Sequence, residues 1–273
     1  MTSGMKRRIG TELRRSSALP VGGLIFALSA LNLVATYGSW HDWAARLTYS
    51  HANAAVFLVP MAIGGGAMLG RRERRTRSTE LVASTGRPRL QVITPTTVAV
   101  TIGVVGAYLI TYAVCAVVLA ASAGGLDAWD VLSPLADAVI MAGAACLGVA
   151  AGRAWPSLAV PPVLTLAAVA IQPLLMITGD TTWRANLTLI GPPPQPGLET
   201  VSGASLAGHL VIGLGLGVAG LLLAGAASWR PRVAALAVFV AAMLVAGSAG
   251  PGYDGRYTPD TAAPRPVAAA PHE

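Results

Sequence analysis

Seven continuous apolar runs cover most of the chain, at residues 19–37, 53–69, 94–120, 131–151, 158–177, 205–227 and 233–249. No other feature limits the fold so strongly. At 1.5 Å per residue the shortest are about 26 Å long as helices, just enough for a hydrocarbon core of roughly 30 Å. The runs do not alternate in segments of about ten residues, which excludes transmembrane strands. Charged residues make up 11% of the sequence, against about 25% in a soluble domain. The expected class is therefore an all-α integral membrane protein. The first run follows basic residues, as in a signal peptide, but it is too long for an h-region and reads as a retained span. Only Ser228, Trp229, Arg230, Pro231 and Arg232 separate the last two runs, so a tight turn at the membrane face must join them.

The bases are sorted by these runs. With a cytoplasmic N-terminus, the inner segments hold Lys6, Arg7, Arg8, Arg14 and Arg15, then Arg71, Arg72, Arg74, Arg75, Arg77, Arg87 and Arg89, then Arg153, Arg230 and Arg232. The outer segments hold only Arg46, Arg184, Arg256 and Arg265. That asymmetry sets the orientation. It also accounts for the basic balance without nucleic acid as a partner. Trp40, Trp43, Trp129, Trp155, Trp183 and Trp229 all fall at or near run ends, as an aromatic belt requires. Cys115 and Cys146 lie inside apolar runs and read as small core residues, with no disulfide framework and no metal set. Residues 251–273, rich in Pro, Ala and Gly, have too little apolar surface to pack and are expected to be disordered.

Residues 70–91, GRRERRTRSTELVASTGRPRLQ, are the most charged stretch of the chain. The arginines serve topology and lean on anionic lipid headgroups, but they do not explain the neutral island inside them. Ser78 can cap a helix, Glu80 sits in its first turn where the dipole favours an anion, and Gly86 with Pro88 closes it. Residues 79–85 thus read as one or two helical turns, too short to be stable alone.

This segment resembles the coupling-helix region of type-2 ABC exporter permeases, in which a short E-L-(aliphatic)-x-S/T-T helix after the second span docks on an ATPase subunit. The stretch GTELRRSSAL, residues 10–19, is similar to the amphipathic elbow helix of the same family. The likeness covers roughly residues 5–228. It implies a cytoplasmic elbow segment over 1–18, a six-span exporter-like bundle over 19–228 and a coupling loop at 70–91. It implies that Thr79, Glu80, Leu81, Val82, Ser84 and Thr85 contact a separate ATP-binding ABC subunit, and that the core pairs as a homo- or heterodimer with another permease. Two features depart from the family pattern. A seventh span at 229–250 would put the C-terminus outside. The segment between the fifth and sixth spans carries Pro192, Pro193, Pro194 and Pro196, which favour a stiff extended piece and leave at best a short re-entrant turn at 183–190.

Within the runs, Asp137 and His209 are the notable ionisable residues. Each sits about a turn inside an outer end, where interfacial satisfaction is cheap, and each could instead belong to a substrate or proton pathway. Gln172 precedes Pro173 in the fifth run; the proline frees a carbonyl that Gln172 can satisfy, or Gln172 can face a cavity. Gly213 to Gly217 form a G-x-G-x-G stretch. A dinucleotide loop needs a preceding strand, which a mid-span position does not supply, whereas small residues suit close helix packing in lipid. The glycines are also candidates for the permease–permease contact. No Walker motif occurs, and the histidines and acids offer no catalytic or metal-binding constellation. No cofactor is expected.

The sequence thus reads as the permease subunit of an ATP-driven exporter, with hydrolysis in a separate chain. The Ala/Gly/Arg bias suggests a bacterial plasma membrane, and spans poor in charge favour an apolar or amphipathic substrate. A non-transporting scaffold or sensor is the alternative, and a proton-coupled transporter using Asp137 and His209 a third reading.

Overall fold

The computed structural model describes residues 3–41, 44–72, 89–122, 128–177, 187, 199–226, 228–249 and 257–259. Nine helices account for nearly all of them: α1 (Ser3–Arg15), α2 (Ala18–Ala35), α3 (Tyr37–Trp40), α4 (Ala44–Gly70), α5 (Arg89–Ser122), α6 (Ala128–Ala154), α7 (Val160–Ile177), α8 (Gly203–Gly225) and α9 (Trp229–Ala249). Two short strands, β1 (Glu199–Val201) and β2 (Tyr257–Pro259), pair antiparallel. Six helices among the described residues are long and apolar enough to cross a bilayer: α2, α4, α5, α6, α8 and α9. The chain is a multi-pass helical membrane protein. Its lipid-compatible surface is plain in Leu31 and Val34 on α2, Val163 and Leu166 on α7, and Leu236 and Leu244 on α9, all exposed. In water such faces would be a large unburied apolar surface.

α6 is the central element, packed along α4 on one side and α8 on the other. Glycine makes both contacts possible. A Cβ on Gly213 would lie 2.6 Å from the Ile140 nitrogen, and one on Gly220 would lie 2.6 Å from the Leu147 nitrogen. Both separations are far inside van der Waals contact, so the α6 and α8 backbones touch. The glycine stretch around Gly213 therefore packs within the chain against α6, and does not stand free for the permease–permease contact that the sequence suggested.

These contacts also give helix directions. Gly213 meets Val139 and Ile140 while Gly220 meets Cys146 and Leu147, so α6 and α8 run parallel. Gly66 meets Ala145 while Gly70 meets Val149, so α4 and α6 are parallel too. Parallel neighbours need an intervening return. α5 supplies it between α4 and α6, as the pairings of His51 with Tyr108 and Thr48 with Tyr112 show. Between α6 and α8 in sequence, α7 is the described helix that would make the return. Its apolar window, Val160–Gln172, is shorter than those of the other six, yet its 18 residues extend about 27 Å. α7 runs on through Pro173 to Ile177. The run marked as a seventh span is the long helix α9, antiparallel to α8, with Gly215 beside Ala242 and Gly208 beside Ala246.

One face of the bundle collects the end of α4, the start of α5, the end of α6, the start of α7 and the α8–α9 turn. Arg71 there donates to the Ser157 carbonyl at 3.3 Å, tying the arginine loop to the α6–α7 turn. α1 lies against this face too. It buries Ile9 and packs Leu13 on the core, while Arg7, Arg8 and Arg14 face out. Spacing of four residues puts Ile9 and Leu13 on one side of the helix, and this is what makes α1 amphipathic. The helix occupies Ser3–Arg15, earlier than the 10–19 stretch, because the chain breaks at Ser16–Ser17, where the Ser16 hydroxyl accepts from the Ala18 N–H at 3.2 Å.

The opposite face carries α3, the start of α4, the ends of α5 and α9, the starts of α6 and α8, and the β1–β2 ribbon. The ribbon corrects the expectation of a wholly disordered tail. Residues 257–259 gain backbone partners from 199–201, which supplies the order their composition alone could not.

Candidate functional site

A polar cluster is buried between four helices in the half of the bundle away from the arginine loop. Asp137 on α6 is its centre and is 2% exposed. The Tyr108 hydroxyl on α5 donates to its Oδ2 at 3.2 Å. Its Oδ1 lies 3.3 Å from Nδ1 of His209 on α8. On α4, the His51 ring stacks on Tyr108 with centroids 3.9 Å apart, and tilts against Tyr112 at 5.2 Å. The hydroxyls of Tyr112 and Thr48 meet at 3.3 Å.

Local sequence puts each group in place. Asp137 lies a turn nearer the start of α6 than Ile140 and Met141, which are fully buried, so the α6 face that packs deeper in the bundle continues outward into the carboxyl group. His209 occupies the corresponding level of α8. That helix begins where the Ser202 hydroxyl accepts from the Ser205 N–H at 3.2 Å, an N-cap that fixes the register entering the bundle. His51 and Thr48 share one face of α4 at a spacing of three residues, and Tyr108 and Tyr112 share one face of α5 at a spacing of four.

An isolated charge at the centre of a membrane costs roughly 2.5–3.5 kcal/mol on insertion scales. The carboxyl of Asp137 offsets this through two partners, one of them able to carry a compensating charge. A carboxylate and an imidazolium, or a carboxylic acid and an imidazole, are each neutral in sum. The arrangement can therefore hold one proton without net charge in an apolar bundle.

Of the three pathway candidates, Asp137 and His209 are brought together. They pair with each other within the bundle. Gln172 is half-buried on α7, which packs chiefly against α4, and belongs to a different helix pair. The residues the sequence missed are His51, Tyr108, Tyr112 and Thr48. α4 begins at Ala44, well before the apolar run at 53, and so carries His51 inside the bundle. A polar residue at i, i+3 spacing just before an apolar run was the available signal.

The coupling segment, with Thr79, Glu80, Leu81, Val82, Ser84 and Thr85, lies outside the described residues, as does the 183–190 segment apart from helical Leu187. Among the described residues, no group of three or more His, Cys, Asp or Glu is placed to hold a metal ion, and both cysteines are free. Protein-family models, curated proteins and solved structures contain no match to this chain.

Proposed function

We propose that this chain is the membrane-spanning subunit of an ATP-driven exporter, working with a separate ATPase subunit that docks on residues 79–85. The observation that carries the reading is the position of α1. This amphipathic helix lies along the start of α5, and its Glu12 pairs with Arg72 at 3.3 Å. The interfacial helix and the root of the arginine loop, the two elements on which the family resemblance rests, are neighbours on one face. A push on the loop would reach α4 and α5 directly and α1 through this contact. In that scheme the ATPase binds on the cytoplasmic side of a bacterial plasma membrane. A second permease completes the pathway, and the substrate is apolar or amphipathic.

The test is made in the island. In a complex with the ATPase, Glu80→Ala or Leu81→Asp abolishes co-purification of that subunit or uncouples its ATP turnover from transport, while the permease still inserts and folds. Breaking a buried ion pair costs about 3–5 kcal/mol, against roughly 0–1 for a solvated one. Arg71→Ala, on the flank, has a much smaller effect. Equal and mild effects from all three variants would reduce the loop to a topology signal.

A further inference from the structure

The buried cluster has a property that packing alone does not require. Neither ring nitrogen of His51, a residue 1% exposed, makes a hydrogen bond, and Nε2 of His209 makes none either. Buried polar atoms of this kind are nearly always satisfied, by protein or by ordered water. Three unpaired nitrogens around a carboxyl–imidazole pair point to water held there, and water next to such a pair provides a route for a proton.

We propose that Asp137, His209, Tyr108 and His51 form a hydrated proton-binding site. The inference needs only the cluster and is independent of the exporter reading. The ligand is a single proton, held between Oδ1 of Asp137 and Nδ1 of His209. Release breaks the bond of that proton to the pair and transfers it to water, leaving a carboxylate on Asp137, a neutral imidazole on His209 and a hydronium ion. The His209 side chain is 14% exposed and that of Asp137 3%, so exchange with the outside passes by way of His209.

The groups facing the site are His51 from α4, Tyr108 and Tyr112 from α5, Asp137 from α6 and His209 from α8. Arg46 and Tyr49 lie on the first turns of α4. Of these, Tyr108 reports the state of the site mechanically. Hydrogen bonds to an ionised acceptor are roughly twice as strong as neutral ones, so loss of the proton tightens the Tyr108–Asp137 bond and clamps α5 to α6. Proton uptake loosens the clamp. α5, which itself packs closely on α2 through Gly103, is the helix that this bond joins to the pair. Its other end emerges from the arginine loop.

The experiment is an infrared difference spectrum of the full chain in lipid nanodiscs, recorded between acidic and alkaline buffer. Wild type, Asp137→Asn, His209→Gln and Tyr108→Phe are compared, each first shown to be monodisperse and helical. The expected wild-type spectrum contains carboxyl and imidazole bands that change together. Asp137→Asn removes the carboxyl band and displaces the imidazole band. Tyr108→Phe, which deletes a donor to the carboxylate, displaces the carboxyl band. If Asp137→Asn does not fold, the Tyr108→Phe displacement decides. A spectrum with no contribution from Asp137 or His209, or one unchanged in every folded variant, overturns the proposal.

Discussion

Gly213→Ala adds one methyl group at the place where α6 and α8 touch. Its Cβ would lie 2.6 Å from the Ile140 nitrogen and 2.7 Å from the Val139 carbonyl carbon. Both are backbone atoms of a helix that also packs on α4, so neither can rotate away. To reach ordinary contact, α8 must retreat by roughly 1 Å. A gap of about 0.5–1 Å forfeits a quarter to a half of each dispersion contact along the seam, and overpacking of this kind costs about 1–3 kcal/mol. Gly106→Ala on α5 is the control, because a methyl group there meets nothing within 4 Å. Reversible unfolding by SDS in mixed micelles, followed by circular dichroism, measures the difference. Gly213→Ala should unfold at clearly lower SDS than wild type, and Gly106→Ala at the same concentration or higher. Equal midpoints for the two variants would refute the close parallel packing of α6 on α8, and with it the argument that α7 is the return.

Two further perturbations test other parts of the account. Trp40 is buried and its Nε1 donates to the Leu33 carbonyl at 2.8 Å, so Trp40→Phe should cost about 1 kcal/mol or more in the same assay, since it orphans a buried carbonyl. Ile9 is 6% exposed in the seam between α1 and the bundle; Ile9→Asp should free α1 and speed tryptic cleavage at Arg14, with the midpoint of global unfolding little changed.

Much of the fold was legible because lipid simplifies the code: a continuous apolar run in this solvent has little choice but to be a helix. Length was harder. Thr48, Ser50 and His51 are polar and sat outside the apolar run, yet they are buried in α4, because a helix inside a bundle can turn polar residues to its neighbours. The amphipathic helix falls within the expected 1–18 segment, but the 10–19 stretch that carries the resemblance is divided by the serine pair at 16 and 17, which separates α1 from α2. The candidate site was half legible. Asp137 and His209 stood out as rare ionisable residues, but spacing within one span cannot say which other span lies beside it. That information arises from the glycine contacts, which set α8 parallel to α6 and bring residue 209 level with 137. For the same reason the glycine stretch at 213–217 could be read as a packing face without revealing that its partner is in the same chain.

The account rests on an odd number of crossings, with the end of α4 and the start of α5 on one side and the β1–β2 ribbon on the other. Single cysteines at Ser78, Thr182 and Ala268, in a background carrying Cys115→Ala and Cys146→Ala, test this directly with a membrane-impermeant thiol reagent applied to intact cells and to inverted vesicles. Residue 78 should be labelled only in inverted vesicles, and residues 182 and 268 only in intact cells. Labelling of 78 and 268 from the same side would contradict the odd number of crossings, and with it the crossing assigned to α7.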